Sequence, residues 1–219
     1  MLKKIATLVS VLALVSILPL FAQDYSKFAF DIGGGVSTPL RPTADYVGVS
    51  GEFTTGAGYN IDKHNSILGE FMWVGMPSNI FILQPVNAPF GKINLYTVTA
   101  NYRYRVDKLG GSPFGVYAIA GGGWYERTMA VDKNYVVPSF TPCQPIYTWW
   151  GYACGPGDYV YTATVASKAV SAGGVDAGVG FTIRLSDTGW KFYVESRYNY
   201  AFSRIPSTLI PVTFGIRFN

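Results

Sequence analysis

The sequence is poor in charge, histidine and cysteine. Of its 219 residues only 14% are charged, one is histidine and two are cysteine, whereas roughly 25% of an average soluble chain is charged. No run of Lys and Arg exceeds the pair Lys3–Lys4, so we expect no nucleic-acid partner. The 16% aromatic content excludes a disordered chain, and the Gly, Tyr, Phe, Val and Thr content favours β structure.

The residue patterns of common catalytic and cofactor sites are also missing. Neither Gly33–Gly35 nor Gly121–Gly123 precedes a helical pattern, so these glycines are not predicted to bind phosphate. His64 falls in a predicted short turn, where we interpret it as a solvated residue. Glu52 and Glu70 are carboxylates that we expect to pair with arginine rather than to act as acid and base. The sequence predicts no enzyme, no metal site and no cofactor.

The first segment has the pattern of a secretory signal peptide. Lys3 and Lys4 precede the apolar run Ile5–Leu18, and Leu20–Ala22 forms a cleavage-site pattern. We therefore predict a signal peptide over 1–22 and a β-barrel domain over 23–219. The alternative is an N-terminal membrane anchor. After residue 22, no apolar run reaches the roughly 18–20 residues of a transmembrane helix.

The rest of the chain alternates with the period of two that β-strands require. Eight strands are predicted, at 27–37, 47–60, 66–75, 92–106, 113–128, 167–185, 190–202 and 208–218. Most are ten residues or longer, and a tilted strand needs about 9–11 residues to cross a membrane. Short links at 60–65, 107–112 and 186–189 alternate with longer links at 38–46, 76–91 and 129–166 and a shorter one at 203–207. This pattern predicts an all-β, eight-stranded antiparallel up-and-down transmembrane β-barrel with short periplasmic turns and longer extracellular loops.

Charged residues concentrate on one face of the predicted strands. The face carries glycine and ten ionisable side chains that we predict to form a charge network in the lumen, namely Asp31, Glu52, Glu70, Arg103, Arg105, Asp176, Arg184, Glu195, Arg197 and Arg217. An unpaired charge in a dry interior is costly, so these side chains must pair or keep water. We favour a salt-bridge network that plugs the barrel over a thin column of water.

The opposite face is apolar and aromatic. Its residues are predicted to face lipid, in particular Phe28, Phe30, Phe71, Trp73, Tyr102, Tyr104, Trp190, Phe192, Tyr198, Phe214 and Phe218. A soluble barrel that binds a small apolar ligand would place this face inside, and alternation alone does not reject that arrangement. So many aromatics would overfill a narrow interior, however, and several lie near strand ends, where Trp and Tyr favour membrane interfaces.

Several segments resemble a known family. They are the glycine-rich opening Phe28–Gly35, the strand Phe114–Gly123, the run Val175–Phe181, the segment Val194–Tyr198 and the end Phe214–Phe218. In their order and spacing the chain is similar to the small eight-stranded outer-membrane barrels, the OmpA/OmpX-like β-barrel domain family. The resemblance implies that Phe214, Ile216 and Phe218 form the terminal signal read by the barrel assembly machinery, although Asn219 follows where the family usually ends on an aromatic residue. No peptidoglycan-binding domain is expected after residue 219.

The two cysteines, Cys143 and Cys154, lie in the longest predicted link. In an oxidising compartment we expect a disulfide between them. Only Asp158 lies nearby as a further ligand, so a metal site is not predicted. The link is rich in Tyr and Trp, which is typical of a contact surface for an extracellular partner, or of side chains that pack on one another and on the rim.

These observations leave two main classes of function. The first is a non-enzymatic outer-membrane barrel with a structural or surface-interaction role and a charge-plugged lumen. The second is a small pore for passive passage of solutes. We predict a monomer in the outer membrane of a Gram-negative-type bacterium, reached by signal-directed export, with outer-membrane lipid and the barrel assembly machinery as partners.

Overall fold

The chain forms a closed antiparallel β-barrel. In the computed structural model, eight strands pair in the order β1-β10-β9-β8-β5-β4-β3-β2, and β2 pairs with β1 to complete the circle. A separate two-stranded hairpin consists of β6 and β7. The structure describes residues 27–79, 90–106, 114–137, 144–148, 151–155, 159–186 and 189–218.

The ten strands differ widely in length. Their bounds are β1 Phe28–Pro39, β2 Ser50–Asn60, β3 Asn65–Pro77, β4 Phe90–Val106, β5 Phe114–Val137, β6 Gln144–Thr148, β7 Gly151–Gly155, β8 Tyr159–Arg184, β9 Trp190–Ala201 and β10 Ser207–Phe218. One 3₁₀ turn, Thr43–Asp45, lies between β1 and β2. No helix in the described part of the chain is long and apolar enough to cross a membrane.

Strand alternation sets which side chains face inward. In β3 every second residue from Ser66 to Met76 is buried, whereas Ile67, Phe71 and Trp73 between them are exposed. The outer face is strongly apolar, with Phe28 57% and Val179 62% exposed. A continuous apolar exterior is what a barrel presents to lipid. The predicted fold and the predicted inversion of its faces are confirmed.

The two rims of the barrel differ. The short-turn rim carries the links at 61–64, 107–113 and 185–189 together with the start of β1 and the end of β10. The long-loop rim carries the links at 40–49, 78–89, 138–158 and 202–206. The lengths of the links therefore alternate along the chain as the sequence predicts.

The prediction of a loop over 129–166 is wrong at both of its ends. Strand β5 continues to Val137 and β8 starts at Tyr159, with the register shifting between Val131 and Asp132. Asp132–Asn134 resembles a turn in sequence but is strand paired with Thr162–Thr164, and the extra residue at the shift is Val165 of β8. Beyond the barrel the two strands pair chiefly with each other, and Thr164–Ala169 is exposed on both faces. Because neither face is buried there, the hydrophobic alternation that marks a strand is absent.

Candidate functional site

The interior near the short-turn rim is organised around Asp31 of β1. Its carboxylate accepts hydrogen bonds from Arg217 of β10, with Nε to Oδ1 at 2.9 Å and Nη2 to Oδ2 at 3.0 Å. Arg103 of β4 reaches the same carboxylate from across the lumen, with Nη2 to Oδ2 at 2.7 Å. Both guanidinium side chains are 1% exposed. One carboxylate therefore holds two cations, and it joins the first and last strands to a distant one.

A second centre surrounds Arg197 of β9. Its Nη2 donates to both carboxylate oxygens of Glu70 at 2.6 and 2.7 Å, and its Nη1 lies 3.4 Å from Oδ1 of Asp176. Its Nε donates to Glu195, two residues away on the same strand. Asn101 donates a further hydrogen bond to Glu70 at 2.7 Å. Here one cation pairs with acids from three strands.

Tyr117 of β5 connects the two centres. Its hydroxyl donates to Glu195 Oε2 at 2.7 Å and accepts from Arg217 Nη2 at 3.2 Å. The guanidinium groups of Arg103 and Arg217 lie 5.0 and 4.8 Å from the centre of its ring. These are cation–π distances, and such contacts strengthen where water is excluded. The tyrosine thus binds both charged centres through its ring and its hydroxyl.

All eight barrel strands contribute to this lumen network. Strand β2 contributes Glu52, whose Oε1 accepts a 2.6 Å hydrogen bond from Thr213 of β10. The other oxygen of Glu52 has no hydrogen-bond partner among the described residues. We define the lumen network by its charged members and their tyrosine, which are Asp31, Glu52, Glu70, Arg103, Tyr117, Asp176, Glu195, Arg197 and Arg217.

Glycines make room for the large side chains of this region. A Cβ atom added at Gly180, which lies opposite Tyr117 in the β5–β8 register, would overlap the tyrosine ring. At Gly33 the added atom would lie 2.5 Å from the hydroxyl of Tyr193, and at Gly174 it would lie 2.5 Å from the ring of Tyr125. The inward-facing glycines therefore set where each tyrosine lies across the lumen.

Above the network the interior becomes apolar. A buried cluster comprises Val47, Met72, Val74, Met76, Leu95, Tyr125, Ala201 and Leu209. Between this cluster and the network is a cavity of about 20 Å³, lined by groups including Glu70, Met72 and Arg197. That volume holds about one water molecule. Further up, at the long-loop rim, a much larger cavity of about 610 Å³ opens, which we call the mouth pocket.

The structure brings together the five acids of the sequence-predicted network and three of its five arginines. All five acids are buried. Arg184, in contrast, is exposed at the end of β8, and Arg105 is half-buried near the end of β4. Both have the inward parity of their strands, but they lie close to the short-turn rim, outside the lumen network. The described lumen therefore contains five buried acids, the deeply buried Arg103 and Arg217, and Arg197 with a side chain 12% exposed, rather than equal numbers.

The predicted lipid-facing aromatics lie on the outer face. Phe192 and Phe218 are half-buried and the others are exposed. Phe218 packs edge-on against Trp190 with ring centres 5.3 Å apart, and Phe28 packs similarly on Tyr59 at 5.7 Å. Phe214 and Ile216 of the predicted assembly signal are exposed on the same face of β10.

The predicted network does not include the tyrosines of the lumen. Tyr117, Tyr125 and Tyr193 are each at most 2% exposed, and two of them contact the buried arginines. A signal for them was present, because each lies at a position whose neighbours two residues away carry glycine or charge. Asn101 and Asn199 occupy the same face, as the alternation predicts, but the predicted network does not include them either.

The described residues contain no arrangement typical of a catalytic or metal site. No group of three His, Cys, Asp and Glu side chains among them could hold a metal ion. His64 is exposed at the short-turn rim, where its backbone N–H donates to Asp62 at 2.7 Å and its ring stacks on Tyr104. Glu70 pairs with Arg197, and Glu52 accepts from Thr213. The predicted disulfide involves Cys143, which lies outside the described residues.

A closed eight-stranded barrel with an apolar exterior and a buried charged interior defines a small membrane-spanning β-barrel protein. The sequence matches the outer membrane protein beta-barrel domain family over residues 10–218, and the chain belongs to that family. It is thus a protein of the outer membrane. No curated protein matches the sequence.

Solved structures share the fold at low sequence identity. Neisserial surface protein A is 15% identical, with a TM-score of 0.53 over 88% of this chain and 97% of that one. A major outer membrane protein from Thermus thermophilus is 9% identical, with a TM-score of 0.55 over 88% of this chain and 99% of that one. At these identities the likeness concerns the fold.

Proposed function

We propose that this protein is a non-enzymatic barrel of the outer membrane whose lumen is plugged by charge and whose long-loop rim acts as an interaction surface. The observation that carries the plug is the lumen network, because its side chains come from all eight barrel strands and pair across the lumen. A chain of ion pairs anchored on opposite walls supports a lumen that is closed to a water column at that level.

The cavity volumes support a closed lumen. The cavity next to the network measures about 20 Å³, which is room for a single water molecule. Above it, the apolar cluster fills the lumen with Met72, Val74 and Leu95. A solute moving through the barrel would have to displace both layers. The alternative of a small passive pore requires the network to open in the membrane.

Conductance in planar lipid bilayers tests the plug. We expect the reconstituted protein to show no large, steady single-channel current. An Arg197→Ala change should increase ion leakage, because it removes the cation shared by three acids. Arg184→Ala is the matched control, since that arginine is exposed at the rim. Steady currents from the unaltered protein would overturn the plug and favour the pore.

The route to the membrane is part of the proposal. Residues 1–22 act as the export signal in a Gram-negative-type bacterium, and the monomeric barrel is inserted by the assembly machinery through Phe214, Ile216 and Phe218. Support comes from the exposed outer-face position of Phe214 and Ile216 on the last strand. A Phe214→Ala, Phe218→Ala double variant should show less of the heat-modifiable, folded form in outer-membrane fractions than a Val98→Ala control. Equal folded fractions would contradict this role.

We also propose that Cys143 and Cys154 form a disulfide that compacts the tip of the long link. The β6–β7 hairpin places Cys154 opposite Pro145, two residues along the chain from Cys143. Thiol labelling of the unfolded, unreduced protein tests the bond, and we expect no labelling before reduction. Labelling of both cysteines without reductant would exclude the bond.

The surface role rests on the ribbon formed by the upper halves of β5 and β8. These strands pair from Val131 and Ala166 outward to Val137 and Tyr159, so they extend past the neighbouring strands. With the short turns on the periplasmic side, this ribbon and the β6–β7 hairpin face the exterior. Deletion of Gln144–Ala153 should reduce binding of cells to a surface partner while leaving the barrel folded. Unchanged binding across the partners tested would exclude the loop as the contact.

A further inference from the structure

The mouth pocket is amphipathic in a way that follows from strand register. One row of inward-facing residues runs from Met76 on β3 through Ile93 and Met129 to Lys168 on β8. The row beneath it runs from Val74 through Leu95 and Arg127 to Val170. The β3–β4 wall is therefore apolar, and cations lie on the β5–β8 wall.

The remaining lining strengthens this division. Val47 contributes an apolar side chain from the β1–β2 link, and Arg204 adds a third cation from the β9–β10 link. None of the described residues that line the pocket is acidic. Of the two acids on β5, Glu126 precedes Arg127 with the opposite parity and does not line the pocket. Asp132 faces Lys92 at 4.0 Å and accepts a hydrogen bond from Thr164. Among the described lining residues, the cations of the pocket thus share an apolar cavity with no carboxylate.

The hydrogen bonding of Arg127 gives the clearest indication that an anion binds in the mouth pocket. Its Nη1 donates to Ser207 at 3.1 Å, but its buried Nε has no hydrogen-bond partner among the described residues. The deeply buried guanidinium groups of the lumen network, in contrast, each contact a carboxylate. A half-buried guanidinium without a counter-ion is unfavourable, and an anionic group bound beside it would satisfy the open donor.

We propose that the mouth pocket binds a single-chain amphiphile with an anionic head group, of the fatty-acid class, that arrives from the aqueous side. The head group contacts Arg127, Lys168 and Arg204, and the chain packs on Val47, Met76 and Ile93. A cavity of about 610 Å³ lies within the usual range of roughly 300–1,000 Å³ for small-molecule pockets. The lining belongs mainly to inward-facing positions, so the site is separated from the lipid-facing surface. Binding does not depend on whether the lumen conducts.

The methionines provide a direct readout. Met76 and Met129 line the pocket, whereas Met72 lies deeper, beside the small lumen cavity. With ¹³C-methyl methionine in zwitterionic lipid nanodiscs, dodecanoate should shift the Met76 and Met129 signals saturably and leave Met72 unchanged. Dodecyltrimethylammonium has the same chain length and the opposite charge, and it should not produce these shifts.

Substitutions separate the head-group contacts from general partitioning. Arg127→Gln should raise the dissociation constant for dodecanoate about tenfold, the effect of losing one charged hydrogen bond. Lys168→Gln, at an exposed position, should weaken binding without disturbing the barrel, and an unchanged Met72 signal reports correct folding. Arg184→Gln, at the opposite rim, is the matched control and should bind normally.

Several results would overturn the proposal. They are the absence of saturable shifts at Met76 and Met129, equal shifts with the cationic probe, or equal binding by the Arg127 and Arg184 variants. Signals already at the bound position in nanodiscs of anionic phospholipid, without dodecanoate, would assign the pocket to a bilayer lipid instead.

Discussion

The half of the lumen near the short-turn rim is filled by charged side chains, and the half near the long-loop rim by apolar ones. We call them the lower, charged half and the upper, apolar half. Strand β3 shows both on one face, where buried Glu70 is followed by buried Met72, Val74 and Met76. Below, charged side chains are tied to fixed partners across the lumen. Above, apolar side chains fill space without directional bonds. Ion pairs tolerate misplacement poorly. The charged half therefore fixes the register between strands, whereas the apolar half mainly fills space.

The largest effect is expected at the centre of the charged half. Asp31→Asn would leave Arg103 and Arg217 without their shared carboxylate, and breaking a buried pair costs about 3–5 kcal/mol. We expect the free energy of unfolding, from urea titration in lipid vesicles, to fall by that amount. Asp45→Asn is the matched control, because the Asp45–Arg41 pair is exposed and should change stability by less than about 1 kcal/mol.

A second variant separates two effects of the charged half, its contribution to the free energy of unfolding and its role in fixing the strand register. Replacing Asp31 with Leu and both Arg103 and Arg217 with Met removes the charges together. Because apolar replacement of a buried ion-pair group is often neutral, we expect a smaller loss than for Asp31→Asn alone. A triple variant less stable than the single one would show that the charged half stabilises the barrel directly.

The apolar half should respond as an ordinary protein core does. Leu95 is 2% exposed and lies in the apolar cluster, so Leu95→Ala should lower the free energy of unfolding by about 3 kcal/mol through the cavity it leaves. Val98→Ala on the same strand is the control, since Val98 is 52% exposed on the outer face. Equal losses for both changes would contradict the packing role of the upper half.

The close contact between Tyr117 and Gly180 in the charged half is expected to have a smaller effect on stability. Gly180→Ala would force the Tyr117 ring away from Glu195, and overpacking of this kind costs about 1–3 kcal/mol. Gly173→Ala on the same strand is the control, because an added Cβ there meets nothing within 4 Å. Equal unfolding midpoints in urea for the two variants would argue against the steric fit.

The smallest effect concerns a carboxylate in water. A hydrogen bond from the Asn65 side chain, together with backbone N–H groups of His64 and Asn65, holds the pKa of Asp62 below its usual value. A lowered folded pKa gives stabilisation that is present above the unfolded pKa of about 4 and is lost as pH falls through the folded value. Hydrogen-exchange protection of the His64 amide should therefore decrease below about pH 4. In Asp62→Asn the protection should be lower at neutral pH and should lack this dependence.

The sequence predicts the barrel well because lipid imposes a strict alternation on every spanning strand. Asp31, Glu70 and Arg197 were correctly placed inside for that reason. The same rule misplaced Arg184, since parity sets the direction of a side chain and not its depth from the rim. It also failed for 129–137 and 159–166, where β5 and β8 extend past their neighbours and pair chiefly with each other. The mouth pocket could not be predicted, because it depends on which residues of β3, β4, β5 and β8 come into register.

The pairing of Asp31 with Arg217 has a consequence for how the cylinder closes. These residues lie opposite each other where the two terminal strands meet, and strand side chains alternate sides. A slip of one position at that seam would point the arginine towards hydrocarbon and leave the aspartate opposite Ile216 or Phe218. Only one register between the first and last strands pairs these two charges inside the barrel. A barrel closed in a shifted register is therefore less stable than the native one.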